Sequence, residues 1–214
     1  MQIWYMEPNI QLAVNRAIQI LLIFLFIVNV GEGLFFPILA VFITGSIAGA
    51  TLKTIGFAVA FYAIAKSILQ VPLAKRIDKQ VGEKDDFYVM MAGSIIGIIY
   101  AFGFIFINLQ WHLYLLSVIG GIGAACLMAA YYGIFARHVD KGSEGFEWSL
   151  FSVGGLTISA AIGGAIGGVF ADAFGFKALF ATAGILNIIG AVLLLFLYPY
   201  LDGFRKKLQP PRMR

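Results

Sequence analysis

Glu32 is the most conspicuous ionisable residue in this sequence, because it lies near the middle of a long apolar run. Asn29 precedes it by three residues and Phe36 follows it by four, so the three side chains share one face of a helix. If this run crosses a bilayer, a charge at that depth costs several kcal/mol or forces protonation. Glu32 is therefore a candidate proton carrier, and the alternative is a structural hydrogen bond to a neighbouring helix.

Lys66 is a second charge within an apolar run, and Gln70 follows it by one helical turn. Its long side chain either snorkels to the membrane interface or faces inward, where it could bind an anionic group or pair with a carboxylate. By depth, Lys66 need not reach Glu32 within one chain. Three tyrosines are further candidates for lining a cavity, although tyrosine at such positions is more often a packing residue: Tyr62, Tyr131 and Tyr132.

These polar side chains stand out because the rest of the chain is so apolar. Of its 214 residues, 61% are apolar and 12% are charged, whereas soluble domains carry about 25% charged residues. A soluble domain of this size cannot hide that much apolar surface, and a disordered chain would not have it. We therefore expect an all-α integral membrane protein.

Six apolar stretches are each long enough to cross a bilayer as a helix, which takes about 20 residues. They cover approximately residues 18–43, 54–74, 87–108, 111–136, 149–170 and 176–198. We interpret residues 1–214 as one six-helix transmembrane domain with a basic tail at 203–214. Little is left for a soluble catalytic domain.

The distribution of lysine and arginine predicts the orientation. Basic residues cluster after the second and fourth stretches and in the tail, whereas Lys53 and Lys177 fall on the opposite side. Because positive charge favours the cytoplasmic side, both termini are predicted to be cytoplasmic and the protein to lie in the plasma (inner) membrane. The net charge of +4 then indicates contact with anionic lipid rather than with nucleic acid.

Small residues at four-residue spacing mark helix contacts in lipid, where backbones approach closely. The fifth stretch carries two such stripes, one through Gly163 and Gly167 and the other through Gly164 and Gly168. Packing is the favoured interpretation and a conformational hinge the alternative. Pro37 makes the first helix the one most expected to bend.

Patterns typical of enzymes are lacking. The two histidines, His112 and His138, fall at predicted helix ends, where they cannot serve a nucleophile at membrane depth. The sequence has no phosphate-binding GxxxxGK[ST] pattern and no cluster with metal-ligand spacing. We expect no enzymatic activity, metal or cofactor.

The segment after the second stretch carries a recognisable order of residues. A small residue, Ala74, is followed four positions later by Asp78, then by Lys79, Gly82 and Lys84. This order resembles the cytoplasmic signature loop of the major facilitator superfamily, although Ala74 replaces the usual glycine and one extra residue precedes Gly82. The candidate gating loop comprises Ala74, Arg76, Asp78, Lys79 and Gly82.

A second resemblance covers the last two stretches. The run from Gly163 to Gly168, with Asp172, Gly175 and Phe180 beyond it, looks like the fifth and sixth helices of a half-transporter in this superfamily. The preceding Glu147-Trp148 pair looks more like the C-terminal half of a drug-efflux-type member.

The resemblance implies half of a major facilitator fold, built as a 3+3 inverted repeat. It further implies that Glu32 faces a substrate cavity, and that Asp78 latches to the start of the fifth helix of the opposite half. We expect a parallel C2 homodimer, with an unseen partner chain as the alternative. The expected function is secondary, proton-coupled transport of a small organic molecule by alternating access. The alternative function is a non-transporting scaffold or regulatory subunit.

Overall fold

The computed structural model describes residues 14–79 and 82–201, and every regular element in these two ranges is helical. The expectations for the basic tail at 203–214 lie outside the described residues. The all-α prediction is confirmed for the part of the chain that is described.

The helices follow one another with short connections. In chain order they are α1 (Arg16–Phe35), α2 (Leu39–Ser46), α3 (Leu52–Lys79), α4 (Lys84–Gly103), α5 (Gln110–His138), α6 (Glu144–Ser149) and α7 (Ser159–Leu195). A 3-10 turn (Phe36–Ile38) joins α1 to α2, a π-helical segment (Leu150–Ile158) joins α6 to α7, and another 3-10 turn (Tyr198–Tyr200) follows α7.

Five helical segments in the described ranges are long and apolar enough to cross a membrane. The last of them, Glu144–Tyr200, has 57 residues, far more than the roughly 20 that one crossing needs. Gly175 interrupts it with a φ of 80° and a ψ of 165°, a conformation that glycine adopts at little steric cost. The break separates the fifth predicted stretch from the sixth.

The first predicted helix is interrupted at Pro37, the residue at which a bend was expected. Proline lacks an N–H and its ring crowds the preceding turn, so α1 gives way to the turn Phe36–Ile38 before α2 continues. The span Arg16–Ser46, which is long and apolar enough to cross a membrane, is therefore made of two helices.

Helix α3, which corresponds to the second predicted stretch, is longer than the apolar pattern predicts. It continues through Pro72 to Lys79, so the predicted gating loop is largely helical. Arg76 and Lys79 lie in its last turn, where positive charge complements the helix dipole. Asp85 and Asp86 lie in the first turn of α4, where negative charge is favoured for the same reason.

The packing joins α1 to α7, α3 to α5, and α4 to both α5 and α7. Gly163 and Gly167 lie against the backbone of α1, where a Cβ on either would overlap the carbonyl oxygen of Val30 or Leu34. Gly33 makes the reciprocal contact, since a Cβ there would lie 2.9 Å from a carbonyl oxygen of α7.

The second glycine stripe is looser. A Cβ on Gly164 would lie 3.5 Å from the Pro37 ring, and one on Gly168 would meet no described atom within 4 Å. Only the first stripe therefore holds α7 tightly against the helix that carries Glu32.

Candidate functional site

Two cavities meet at Glu32 on α1. The apolar cavity has a volume of about 250 Å³ and the polar cavity one of about 270 Å³. Glu32, Tyr62 and Tyr100 line both of them. The carboxylate therefore stands at the junction between an apolar and a polar compartment.

The two cavities differ in their walls. The apolar cavity is lined by aromatic and aliphatic side chains of α1 to α5, among them Phe35, Phe36, Leu39, Val59 and Phe104. The polar cavity adds hydrogen-bonding and charged side chains, namely Asn29, Lys66, Ser94, Tyr132 and Asn187.

Lys66 lines the polar cavity together with Glu32, close enough for its charge to act on the carboxylate. Within the described residues, however, neither side chain has a hydrogen bond, and no ion pair joins them at 4.0 Å or less. Two opposite charges thus share one cavity without direct pairing.

Glu32 is surrounded by other helices but remains accessible from outside the single chain. Asn29, one turn earlier on α1, is half-buried and donates its side-chain N–H to the Leu25 carbonyl, 3.0 Å away. Phe36 is 68% exposed on the apolar side. The accessible carboxylate thus has an amide on one side and an aromatic ring on the other.

Ser94 and Asn187 are polar cavity residues that the sequence analysis missed. Both are buried; the Ser94 hydroxyl has no partner among the described residues, and Asn187 donates to the Ala183 carbonyl at 3.0 Å. The only signal in the sequence is a polar residue within an apolar run, which Ser94 and Asn187 share with many packing residues.

The structure separates the predicted cavity tyrosines. Tyr62 and Tyr132 line the polar cavity, whereas Tyr131 is fully buried in the core. Its hydroxyl donates to the Leu21 carbonyl oxygen at 3.2 Å, and its ring stacks on Phe135. The expectation that Tyr131 faces the cavity is corrected, because its side chain packs against α1 and lines neither of the two cavities at Glu32.

A second group of charges, the Arg137 cluster, lies where α5 ends and α4 begins. The Arg137 guanidinium contacts Glu83 at 3.1 Å and also pairs with Asp86. His138 Nδ1 lies 3.5 Å from the Glu83 carboxylate and 3.0 Å from the Ile134 carbonyl oxygen. Glu83 and Asp86 are buried, and burial raises the pKa of the Glu83 carboxyl while the charges of His138 and Arg137 oppose that shift.

A family model described as the Major Facilitator Superfamily matches residues 21–213. This chain belongs to the major facilitator superfamily. The match covers almost the whole chain and confirms the resemblance found in the sequence. Together with the long apolar helices, it makes the chain an integral membrane protein of a transporter superfamily.

A relative extends this result. An uncharacterized MFS-type transporter of Methanocaldococcus jannaschii is 25% identical to the chain over 168 residues, which is 78% of this chain and 42% of that protein. The chain thus spans less than half the length of the curated relative that it matches.

Part of the predicted gating loop lines a shallow groove that Glu32 does not line. This groove follows the C-terminal half of α3, and the residues that line it include Gln70, Ala74, Asp78 and Lys79. Arg76 is exposed on the same helix, and a Cβ on Gly82 would meet no described atom within 4 Å. Gln70, predicted to lie with Lys66 in the cavity, lines this groove together with Asp78.

Proposed function

We propose that this protein is a proton-coupled secondary transporter of a small organic molecule, with Glu32 as the proton carrier. The observation that carries the proposal is the accessible, unpaired carboxylate between the two cavities. An ionisable group within a membrane span that has no structural partner is best explained by a functional role. Tyr62, Lys66 and Tyr132 form the wall around it.

A second six-helix unit is required to close the cavities. An accessible carboxylate at mid-membrane cannot face lipid, so a protein surface must cover it. Only 6% of the most apolar stretch of α3 is buried within the single chain. This helix is therefore free to contact a second unit. We propose that a second copy of this chain, inserted in the same direction, supplies it as a C2 homodimer.

The proposed transport cycle is alternating access between two such units. Each unit has six crossings arranged as a 3+3 inverted repeat, with both termini cytoplasmic in the plasma (inner) membrane. The end of α3 then lies on the cytoplasmic side. There Asp78 latches to the start of the fifth crossing of the other protomer, where the helix dipole favours a carboxylate.

The proton-carrier role is tested by uptake driven by a pH gradient into proteoliposomes, using a panel of radiolabelled sugars, amines, organic acids and amino acids. Glu32→Gln should abolish the dependence of uptake on the pH gradient. Asp85→Asn is the control, because Asp85 is an exposed acidic residue in the first turn of α4. Gradient-dependent uptake by Glu32→Gln would refute the role, and no flux of any panel compound by folded protein would favour a scaffold.

The homodimer is tested by native mass spectrometry in mild detergent and by crosslinking in vesicles. The proposal expects a species of twice the chain mass in both measurements. A strict monomer at membrane-like density would remove the two-copy arrangement and leave a different partner chain.

A further inference from the structure

The unpaired charges of Glu32 and Lys66 define a ligand as well as a proton site. We propose that the joined cavities take a zwitterion with an apolar side group. The ligand's ammonium would bind Glu32, its carboxylate would bind Lys66, and its side group would enter the apolar cavity. This inference rests on the proposed function, since it names the substrate class of the same site.

In the part of the chain that is described, the two charged side chains of the polar cavity lack counter-charges in direct contact. Burying an ion away from water is costly unless a counter-charge accompanies it. Within the described residues, Glu32 and Lys66 line one cavity but are not joined to each other or to another group. A simple cation or a simple anion would neutralise one of them, whereas a zwitterion neutralises both at once.

The apolar cavity provides space for an apolar side group of the ligand. It opens beside Glu32, and its wall includes Phe35, Phe36, Leu39 and Phe104. An apolar group attached close to the ligand's ammonium would therefore lie against these side chains. With volumes of about 250 Å³ and 270 Å³, the cavities suit a molecule of amino-acid size rather than an oligosaccharide.

The Ser94 hydroxyl is an uncharged polar group in the cavity that Lys66 also lines. The buried Ser94 hydroxyl lines the polar cavity and has no partner among the described residues. It is free to donate to a carboxylate held by Lys66, and a buried polar group gains stability when such a hydrogen bond forms.

The test compares three compounds that share one phenyl group: L-phenylalanine, phenethylamine and 3-phenylpropionate. They carry both charges, the ammonium only and the carboxylate only. Binding to purified protein is measured by calorimetry, so that no transport is needed. We expect L-phenylalanine to bind at least about tenfold more tightly than either of the other two, as one charge-assisted contact is worth that factor.

Two variants assign the contacts. Glu32→Gln should lower the affinity for L-phenylalanine about tenfold and leave the affinity for 3-phenylpropionate unchanged. Lys66→Gln should also lower the affinity for L-phenylalanine about tenfold, but it should leave the affinity for phenethylamine unchanged. Lys53→Gln, exposed at the start of α3, is the control and should alter none of the three affinities.

Equal binding of phenethylamine and L-phenylalanine, insensitivity to Lys66→Gln, or no binding of any of the three compounds would overturn the inference. These outcomes are separable from the transport proposal. Flux of another panel compound without L-phenylalanine binding would leave transport standing. L-phenylalanine binding without gradient-driven flux would leave the ligand class standing and remove proton coupling.

Discussion

The two groups of charges in this molecule are built in opposite ways. In the Arg137 cluster, one guanidinium bridges two buried carboxylates and ties the end of α5 to the start of α4. At the junction of the cavities, Glu32 and Lys66 face the same space without contact. Charges that pair with one another join two helices, whereas charges left unpaired are available to a ligand or a proton.

The contrast extends to how the two regions are held. The planar guanidinium of arginine presents several donors at once, which suits it to bridging two carboxylates. The helix that carries Glu32 is instead held by backbone contact, since Gly163 and Gly167 let α7 approach α1 without a side chain between them. Because these backbone contacts position α1, Glu32 is not needed to hold the helix in place.

The largest expected effect is at the Arg137 cluster. Arg137→Met should lower the free energy of unfolding by about 3 kcal/mol, because it leaves two buried carboxylates without their partner. The thermal unfolding midpoint in detergent measures the loss. Arg76→Met, at an exposed position in the last turn of α3, removes only a favourable interaction with the helix dipole and should lower the midpoint much less. Equal losses in both variants would break the comparison.

Next in size is the glycine contact that positions Glu32. Gly167→Ala should cost about 1–3 kcal/mol, because its methyl group would overlap the Leu34 carbonyl. Gly168→Ala is the matched control with the same gain in helix propensity and open space around it, so it should be neutral or slightly stabilising. Unfolding midpoints that fall equally for both variants would show that this contact does not hold α1.

A smaller effect is expected in the pH dependence of the Arg137 cluster. Because the folded-state pKa of Glu83 is raised above its ordinary value, its contribution to stability is full at low pH. That contribution falls as the pH rises from the ordinary value through the folded one, by at most about 1.4 kcal/mol per pH unit.

Glu83→Gln removes this titration, while Arg137, His138 and Asp86 remain. The unfolding midpoint of the variant should therefore decline less between pH 5 and pH 8 than that of the native chain. Parallel curves for the two proteins would contradict the assignment.

The smallest effect should come from Lys66→Gln. Lys66 has no hydrogen bond or ion pair among the described residues. The substitution should therefore change the free energy of unfolding, measured from the unfolding midpoint, by no more than about 0.5 kcal/mol. A loss as large as that of Arg137→Met would show that Lys66 is a structural charge, and the contrast between the two regions would fail.

The apolar pattern predicted an all-α chain with long apolar helices, because the length and hydropathy of a membrane span are local properties. It placed the end of α3 too early, since hydropathy marks the lipid-facing part and a helix can continue beyond it through Pro72 to Lys79. The turn at Pro37 could be predicted because proline removes a backbone donor at that residue.

The site was predictable only in part. Glu32 stood out in the sequence because a carboxylate in an apolar run is rare. Which side chains lie around it could not be predicted, because that depends on packing between distant segments of the chain. Tyr131 and Tyr132 are adjacent, and yet one lies in the core and the other lines the cavity. Arg137 meets partners more than 50 residues earlier in the chain, a distance over which sequence spacing gives no direction.

The most direct test of the central claim is the uptake of substrate driven by a pH gradient in Glu32→Gln proteoliposomes, with the unfolding midpoint measured on the same preparation. The proposed role predicts that gradient-driven uptake is lost while the midpoint stays unchanged or rises, because an unpaired charge has been removed. Gradient-driven uptake at the native level, or loss of uptake together with a lower midpoint, would contradict it.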